Sequence, residues 1–81
     1  MNRFRFTESA QGDLRRIDRE KARSILIALT RYGKTGEGDV KQLKGSDDFR
    51  LRVGDYRVRF RVLDDGTLRI AQVSHRREAY R

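Results

Sequence analysis

A chain of 81 residues has room for one hydrophobic core, so we expect a single domain over residues 1–81. With no cysteine and one histidine, the chain lacks the ligands of a disulfide framework or a structural zinc site, and we expect no metal or other cofactor. It has no apolar run that resembles a signal sequence or a membrane span, which favours a cytoplasmic location, and its net charge of +8 favours a polyanion or an acidic protein as partner.

The N-terminal part of the sequence predicts a strand followed by a helical hairpin over residues 7–32. "NRFRF" alternates apolar and charged side chains, which is the period of a short strand. Thr7 is a good N-cap for a first amphipathic helix, and Asp18 can cap a second. Gly33 is expected to end the second helix. The apolar stripe of that helix comprises Ala22, Ile25, Leu26, Leu29 and Tyr32.

The pattern of the C-terminal part changes to a period of two residues. Residues 40–48, "VKQLKGSDD", are expected to be a connector anchored by Val40 and Leu43. After it, "FRLRV", "YRVRFRVL" and "TLRIAQVSH" predict three strands in an antiparallel meander. These elements together predict an α+β fold in which the N-terminal strand and the meander pack on the helical hairpin.

Two turns connect the three strands, and the alternation of apolar residues changes within the last one. Gly54-Asp55 and Asp65-Gly66 are favourable turn pairs between antiparallel strands. In the last strand the apolar residues before and after position 71 are out of phase. A β-bulge near Ala71 or Gln72 would restore the phase.

The arginines of the first two meander strands alternate with apolar residues, so they share one face of the sheet. They are Arg50, Arg52, Arg57, Arg59 and Arg61. A solvated sheet face is the simplest interpretation of such alternation. However, lysine and glutamate would serve water equally well, and like charges on neighbouring strands repel. Because the planar guanidinium fits phosphate oxygens, a phosphate-binding face is the preferred interpretation.

The C-terminal "HRREAYR" adds His75, Arg76, Arg77 and Tyr80 directly after the last strand. Histidine is the side chain whose ordinary pKa lies nearest neutrality, and a tyrosine beside arginines can stack on an RNA base. A surface position for His75 and packing of Tyr80 on the sheet edge are the structural alternatives.

These segments resemble the RelE branch of the RelE/ParE toxin superfamily. The resemblance is carried by "VKQLKGSDDFRLRVGDYRVRFRV" and "VSHRREAY", and it is strongest over residues 40–81. It implies a RelE-like fold and the toxin of a type II toxin–antitoxin pair, a ribosome-dependent and metal-independent endoribonuclease (an mRNA interferase) that cleaves mRNA in the ribosomal A site. The chemistry it implies is attack of a ribose 2′-oxygen on the adjacent phosphate. The implied partners are a cognate antitoxin, the ribosome and mRNA.

The resemblance also implies roles for individual residues. Arg50 and Arg52 stand at the basic sites of the strand before the turn. Arg57 matches the phosphate-binding arginine, Arg76 the arginine that stabilises or protonates the leaving group, and Tyr80 the tyrosine that stacks on a base. The implied contacts to RNA are Lys41, Lys44, Arg59 and Arg77.

Two features depart from the best-studied members of the branch. Those members have lysines at the positions of Arg50 and Arg52, and one lysine has been proposed as general base. Arginine holds its proton at neutral pH and is a poor base. Either the ribosome or the substrate supplies the base while the protein stabilises charge, which we favour, or His75 takes the proton. The chain ends at Arg81, so a C-terminal helix of the kind some relatives carry is expected to be absent.

Two other functions are compatible with the sequence. ParE-type toxins share the fold, poison DNA gyrase and generally lack the nuclease residues, so Arg57, Arg76 and Tyr80 together favour RelE. A non-catalytic basic module that binds RNA or an antitoxin is the third possibility. We expect an antitoxin segment with acidic and apolar residues to cover part of the helical hairpin and the arginine face.

Overall fold

The computed structural model describes residues 3–79, and the side chains of residues 3–77. The elements of this part of the chain are β1 (Phe4–Phe6), α1 (Glu8–Arg16), α2 (Arg19–Thr35), β2 (Asp39–Gln42), β3 (Phe49–Val53), β4 (Tyr56–Val62), β5 (Leu68–His75) and α3 (Arg76–Ala79). The strands form one sheet in the order β1-β5-β4-β3-β2, in which β1 is parallel to β5 and all other neighbours are antiparallel. This arrangement confirms the predicted α+β class.

Strand β2 lies where the sequence analysis expected the beginning of a connector, so that prediction is wrong for residues 40–42. Val40 lies opposite Leu51 and is half-buried, as an anchor should be, while Lys41 lies opposite Arg50 on the other face. The meander therefore has four strands instead of three. Four residues carry too little alternation to indicate a strand, and it is pairing with β3 that satisfies their backbone groups.

The helix starts follow the predicted caps, but the end of α2 does not. The Ala10 N–H donates to Thr7 Oγ1 at 3.1 Å, which confirms Thr7 as the N-cap of α1. Asp18 precedes α2, although its side chain makes no capping hydrogen bond. Helix α2 runs past Gly33 and ends before Gly36, whose φ of 75° only glycine adopts readily. The predicted end at Gly33 is therefore wrong.

The core lies between the two long helices and one face of the sheet. Its buried members are Ala10, Ile25, Leu29, Leu51, Val58, Phe60, Leu68, Ile70 and Val73. Helix α2 contributes Ile25 and Leu29, and the Tyr32 ring packs edge-on against Phe60 with centroids 5.4 Å apart. The predicted core position of Leu26 is wrong, because its residue is 43% exposed. The apolar stripe that faces the sheet is narrower than the one in the sequence.

The predicted bulge is confirmed and it decides which side chains of β5 face the arginines. Arg59 pairs with Gln72 while Phe60 pairs with Ile70, so Ala71 is the extra residue. The Gly54-Asp55 and Asp65-Gly66 turns are also confirmed, with positive φ at both glycines. After the bulge, alternation resumes with Val73 in the core and its two neighbours on the polar face.

The side chains of α1 and its N-cap form hydrogen bonds with the bulged part of β5, which lies beyond the end of β1. Thr7 Oγ1 donates to the Ala71 carbonyl at 3.0 Å, and the Val73 N–H donates to Asp13 Oδ2 at 3.0 Å. These side chains satisfy backbone groups that lack a partner strand. They position the second half of β5 for the polar face.

A one-turn helix, α3, follows β5. The Arg76 N–H donates to the Asp55 carbonyl at 2.7 Å, which ties this turn to the β3–β4 hairpin. None of the helices over residues 3–79 is long and apolar enough to cross a membrane.

Candidate nucleic-acid interface

The polar face of the sheet carries two rows of side chains that run across four strands. The first row is Lys41, Arg50, Arg59 and Gln72, and the second is Asp39, Arg52, Arg57 and Ser74. Each row contains two arginines directly opposite one another on β3 and β4. Like charges in such cross-strand pairs repel, so the arrangement disfavours the isolated sheet and favours a bound anion.

The two rows, together with the loop after β2, enclose a groove of about 710 Å³. The side chains that line it are Lys41, Gln42, Leu43, Lys44, Arg50, Arg52, Arg57, Arg59, Gln72 and Ser74. Six of them are cationic, and among these described lining residues there is no aspartate or glutamate. The groove therefore brings together six of the predicted site residues in one electropositive concavity, which attracts polyanions.

Arg50 carries the clearest sign of an unmet interaction in the groove. Its Nη1 atom is buried and finds no hydrogen-bond partner among the described residues. A buried donor left without a partner costs about 1–3 kcal/mol. Since native proteins rarely leave such donors unsatisfied, an oxygen of a ligand is the natural partner for this nitrogen.

Asp48, which the sequence analysis did not single out, binds two arginines of the polar face. Arg59 Nε donates to Asp48 Oδ2 at 2.6 Å, and Arg61 Nε donates to Oδ1 at 2.8 Å. The hydrogen bond from Arg59, supported by Arg61, holds the pKa of Asp48 below its ordinary value. Arg61 does not line the groove, so the structure separates it from the other four arginines of this face. A carboxylate immediately before an arginine-rich strand was the available signal.

The arginines of α3 lie beside the groove. A smaller cavity of about 450 Å³ is lined by Arg52, Gly54, Arg57, Arg76 and Arg77. Arg52 and Arg57 therefore stand between the two cavities. The ion pairs of this region are long: Arg52 Nε lies 3.8 Å from Asp39, and Arg76 Nη1 lies 4.0 Å from Asp55. These cations are held loosely compared with those at Asp48.

His75 is not brought together with the arginines. It pairs with Tyr56 on the face that carries the core, and the two rings meet edge-on with centroids 5.3 Å apart. Its Nδ1 accepts a hydrogen bond from the Arg77 N–H at 3.2 Å. This position gives the imidazole a local role at the start of α3 and places it away from the groove. Tyr80 lies outside the described residues.

Gln72 and Ser74 line the groove although the sequence analysis did not select them. They lie opposite Arg59 and Arg57 because of the bulge at Ala71. The phase change was visible in the sequence, but its consequence for these two side chains was not drawn. Within the described residues, no group of three or more His, Asp or Glu side chains is arranged to hold a metal ion.

Known proteins resemble this chain in sequence and in fold. A sequence profile of the family described as ParE toxin of type II toxin–antitoxin system, parDE, matches residues 4–80. The chain belongs to the RelE/ParE toxin superfamily. A candidate toxin of Methanocaldococcus jannaschii, RelE1, is 47% identical over 45 residues, which are 53% of this chain and 50% of that protein. The match thus spans about half the length of this curated relative.

Solved structures of RelE toxins share the fold over nearly the whole chain. A chain of the RelB–RelE antitoxin–toxin complex from Methanococcus jannaschii matches with a TM-score of 0.78 and 25% identity, covering 94% of both chains. The RelE–RelB complex of Pyrococcus horikoshii gives a TM-score of 0.78 at 24% identity, with 93% of this chain and 94% of that one covered. The isolated Escherichia coli RelE toxin gives 0.77 at 16% identity, with 99% and 96% covered. The RelE-like fold predicted from the sequence is therefore confirmed.

Proposed function

We propose that this chain is the toxin of a RelE-type toxin–antitoxin pair and a ribosome-dependent, metal-independent endoribonuclease that cleaves mRNA in the ribosomal A site. The groove carries the proposal, because its six cations and the Arg50 Nη1 atom, which has no hydrogen-bond partner among residues 3–77, suit a chain of phosphates. Membership of the toxin superfamily supports the same reading. Activity of this kind belongs in the cytoplasm, where mRNA is translated.

The proposed reaction is attack of a ribose 2′-oxygen on the adjacent phosphorus. The bond from phosphorus to the 5′-oxygen of the next nucleotide breaks, and a 2′,3′-cyclic phosphate remains. Negative charge grows on the non-bridging oxygens in the transition state. Arg57 and Arg52, which stand between the two cavities, are suited to hold that charge with preorganised donors.

The leaving 5′-oxygen also gains negative charge. Arg76 lines the smaller cavity with Arg52 and Arg57, and its Nη1 atom lies 4.0 Å from the Asp55 carboxylate. A cation held this loosely can turn toward the departing oxygen. We assign Arg76 to stabilisation of the leaving group.

A general base is harder to assign within the protein. Arginine is a poor general base, so neither Arg50 nor Arg52 suits this role. His75 lies on the opposite face of the sheet against Tyr56, so its position does not favour proton transfer in the groove. We therefore propose that the ribosome or the substrate accepts the 2′-proton while the arginines stabilise charge.

The proposed antitoxin has two surfaces to cover. One is the arginine groove, which an acidic segment would neutralise and close. The other is the outer side of α2, where Leu26 and Ile27 are 43% and 53% exposed beside Arg23 and Arg31. A segment that combines acidic and apolar residues fits both surfaces. The solved RelB–RelE complexes of relatives support a protein partner of this kind.

The test is expression of the chain from a tightly repressed promoter, with mapping of mRNA 5′ ends by primer extension. We expect cuts inside translated codons for the unchanged chain and about a 10²- to 10³-fold loss of cutting for Arg57→Ala and Arg76→Ala. Arg69→Ala is the matched control, since Arg69 is exposed on β5 opposite Arg61 and lies outside both cavities. It should cut normally.

Three results would contradict the proposal. Cuts that persist in Arg57→Ala would show that the groove takes no part in the cleavage reaction. Growth arrest with DNA damage and no mRNA cuts would favour a gyrase poison instead, a second function that the match to the ParE family profile supports. Binding of RNA without any cutting would leave a non-catalytic module.

A further inference from the structure

Four neutral side chains line the groove among the cations: Gln42, Leu43, Gln72 and Ser74. Gln42 and Leu43 lie outside the two rows, and the Gln42 amide already donates to the Ser46 carbonyl at 3.2 Å. Gln72 and Ser74 end the two rows that cross the sheet, directly beside Arg59 and Arg57. The bulge at Ala71 puts them on this face, and both line the groove. Gln72 is exposed, so its amide is open to a ligand that enters.

The chemistry of these side chains differs from that of the rest of the groove. Lysine and arginine bind phosphates regardless of the base that each nucleotide carries. A side-chain amide presents one donor and one acceptor group side by side, which suits the edge of an unpaired nucleobase. The neutral residues of this groove can therefore distinguish between bases where a contact to phosphate cannot.

The spacing across the sheet fits one nucleotide. Gln72 lies two strands away from Arg50, a separation of about 10 Å from the usual distance between neighbouring strands. A phosphate held by the Arg50 guanidinium would leave its base extended along the first row, over Arg59 and toward Gln72. Arg59 is tied to Asp48 through its Nε atom, so it is held to one side of that path.

We propose that Gln72 contacts the edge of an unpaired nucleobase in the groove and, with Ser74 beside it, sets the nucleotide preference of RNA binding. This inference rests on the proposed function, because it assumes that the groove holds single-stranded RNA. It assigns Gln72 to specificity and the cations to affinity.

The experiment measures affinity by fluorescence anisotropy for eight-nucleotide oligo(A), oligo(C) and oligo(U) RNA at several salt concentrations, with gels to verify that each RNA stays intact. We expect the unchanged chain to prefer one oligonucleotide by about fivefold or more. Gln72→Ala should reduce that preference to less than about twofold without changing the salt dependence. Arg57→Ala is the contrasting variant, and it should weaken all three RNAs by the same factor with a shallower salt slope.

The outcomes separate this inference from the proposed function. Binding without any preference by the unchanged chain, or a preference that survives in Gln72→Ala, overturns the inference and leaves the nuclease proposal in place. Absence of RNA binding by the unchanged chain at low salt overturns the inference, whereas the nuclease proposal is decided separately by the mapping of mRNA 5′ ends. A folded Gln72→Ala protein is verified by its thermal melting, and Gln72→Glu, which keeps the size but loses the amide donor, should lose the preference in the same way.

Discussion

The two ends of the arginine face use the same residue type for opposite purposes. At one end, Arg59 and Arg61 meet Asp48 at 2.6 and 2.8 Å, and that carboxylate is only 14% exposed. At the other end, the ion pairs of Arg52 and Arg76 are 3.8 and 4.0 Å long and lie in solvent. The first end is fixed by the fold itself, and the second keeps its charge available.

This difference shows that an alternating row of arginines is not one functional unit. A carboxylate within hydrogen-bond reach converts part of the row into a structural contact. Other arginines that line the groove are bound less closely: Arg52 Nε lies 3.8 Å from Asp39, and Arg50 Nη1 lacks a hydrogen-bond partner among the described residues. Four predictions test this division.

The largest effect is expected on RNA binding. Arg57→Ala should weaken the affinity for single-stranded RNA by about tenfold or more, since a hydrogen-bonded charge contact contributes about 1.5–3 kcal/mol. Arg61→Ala, whose guanidinium is bound by Asp48 outside the groove, should change it less than about twofold. Fluorescence anisotropy at fixed salt measures both. Equal losses in the two variants would show that the face acts as one undivided surface.

The next effect concerns stability. Asp48→Asn should lower the free energy of unfolding by about 1–2 kcal/mol, because it weakens two charge-assisted hydrogen bonds at the clamped end. The matched control is Asp39→Asn, which loses only a long, exposed pair with Arg52 and should cost less than about 0.5 kcal/mol. Urea unfolding measures both values. If the control costs as much as Asp48→Asn, the two ends are not different in the way proposed.

A smaller effect of opposite sign is expected at Arg50. Arg50→Met removes a buried donor that has no partner in the described part of the chain and should raise the free energy of unfolding by about 1 kcal/mol. The same change should weaken RNA binding, since the ligand loses that donor. Arg52→Met, at an exposed position, should not stabilise the chain. Destabilisation by Arg50→Met would mean that the guanidinium is already satisfied in the free protein.

The smallest effect is expected on the free energy of unfolding at acidic pH. The folded-state pKa of Asp48 is lowered, so its stabilising contribution is complete above the unfolded pKa and disappears as the pH falls through the folded pKa. Unfolding free energies of the unchanged chain and Asp48→Asn should therefore converge below about pH 4. Urea titrations across that range give the comparison. A gap that stays constant with pH would contradict the role of the Asp48 charge.

Local patterns were sufficient for most of the fold. Strands β3 and β4, the Gly54-Asp55 turn and the bulge at Ala71 follow from a two-residue period and from turn chemistry, both of which are properties of neighbouring residues. Strand β2 and the exposure of Leu26 could not be predicted in this way. Each depends on what packs or pairs with the segment from a distant part of the chain.

Some residues of the candidate site could be predicted from local patterns and others could not. The basic residues of the groove were predicted, and the structure brings six of them together. Asp48 was missed because it lies in the loop before β3, whereas its partners Arg59 and Arg61 lie on β4, beyond the turn that follows β3. The position of His75 was also missed, because its face of the sheet depends on the parity of the strand after the bulge.

By itself, the sequence determined the charge, the alternation that collects arginines on one face, and the resemblance to RelE toxins. The tertiary structure alone decided which arginines are neutralised, which neutral side chains join them, and on which face His75 lies. The physical reason is that alternation is a property of one strand. Cross-strand register, the parity set by a bulge and the reach of a carboxylate exist only when strands are paired.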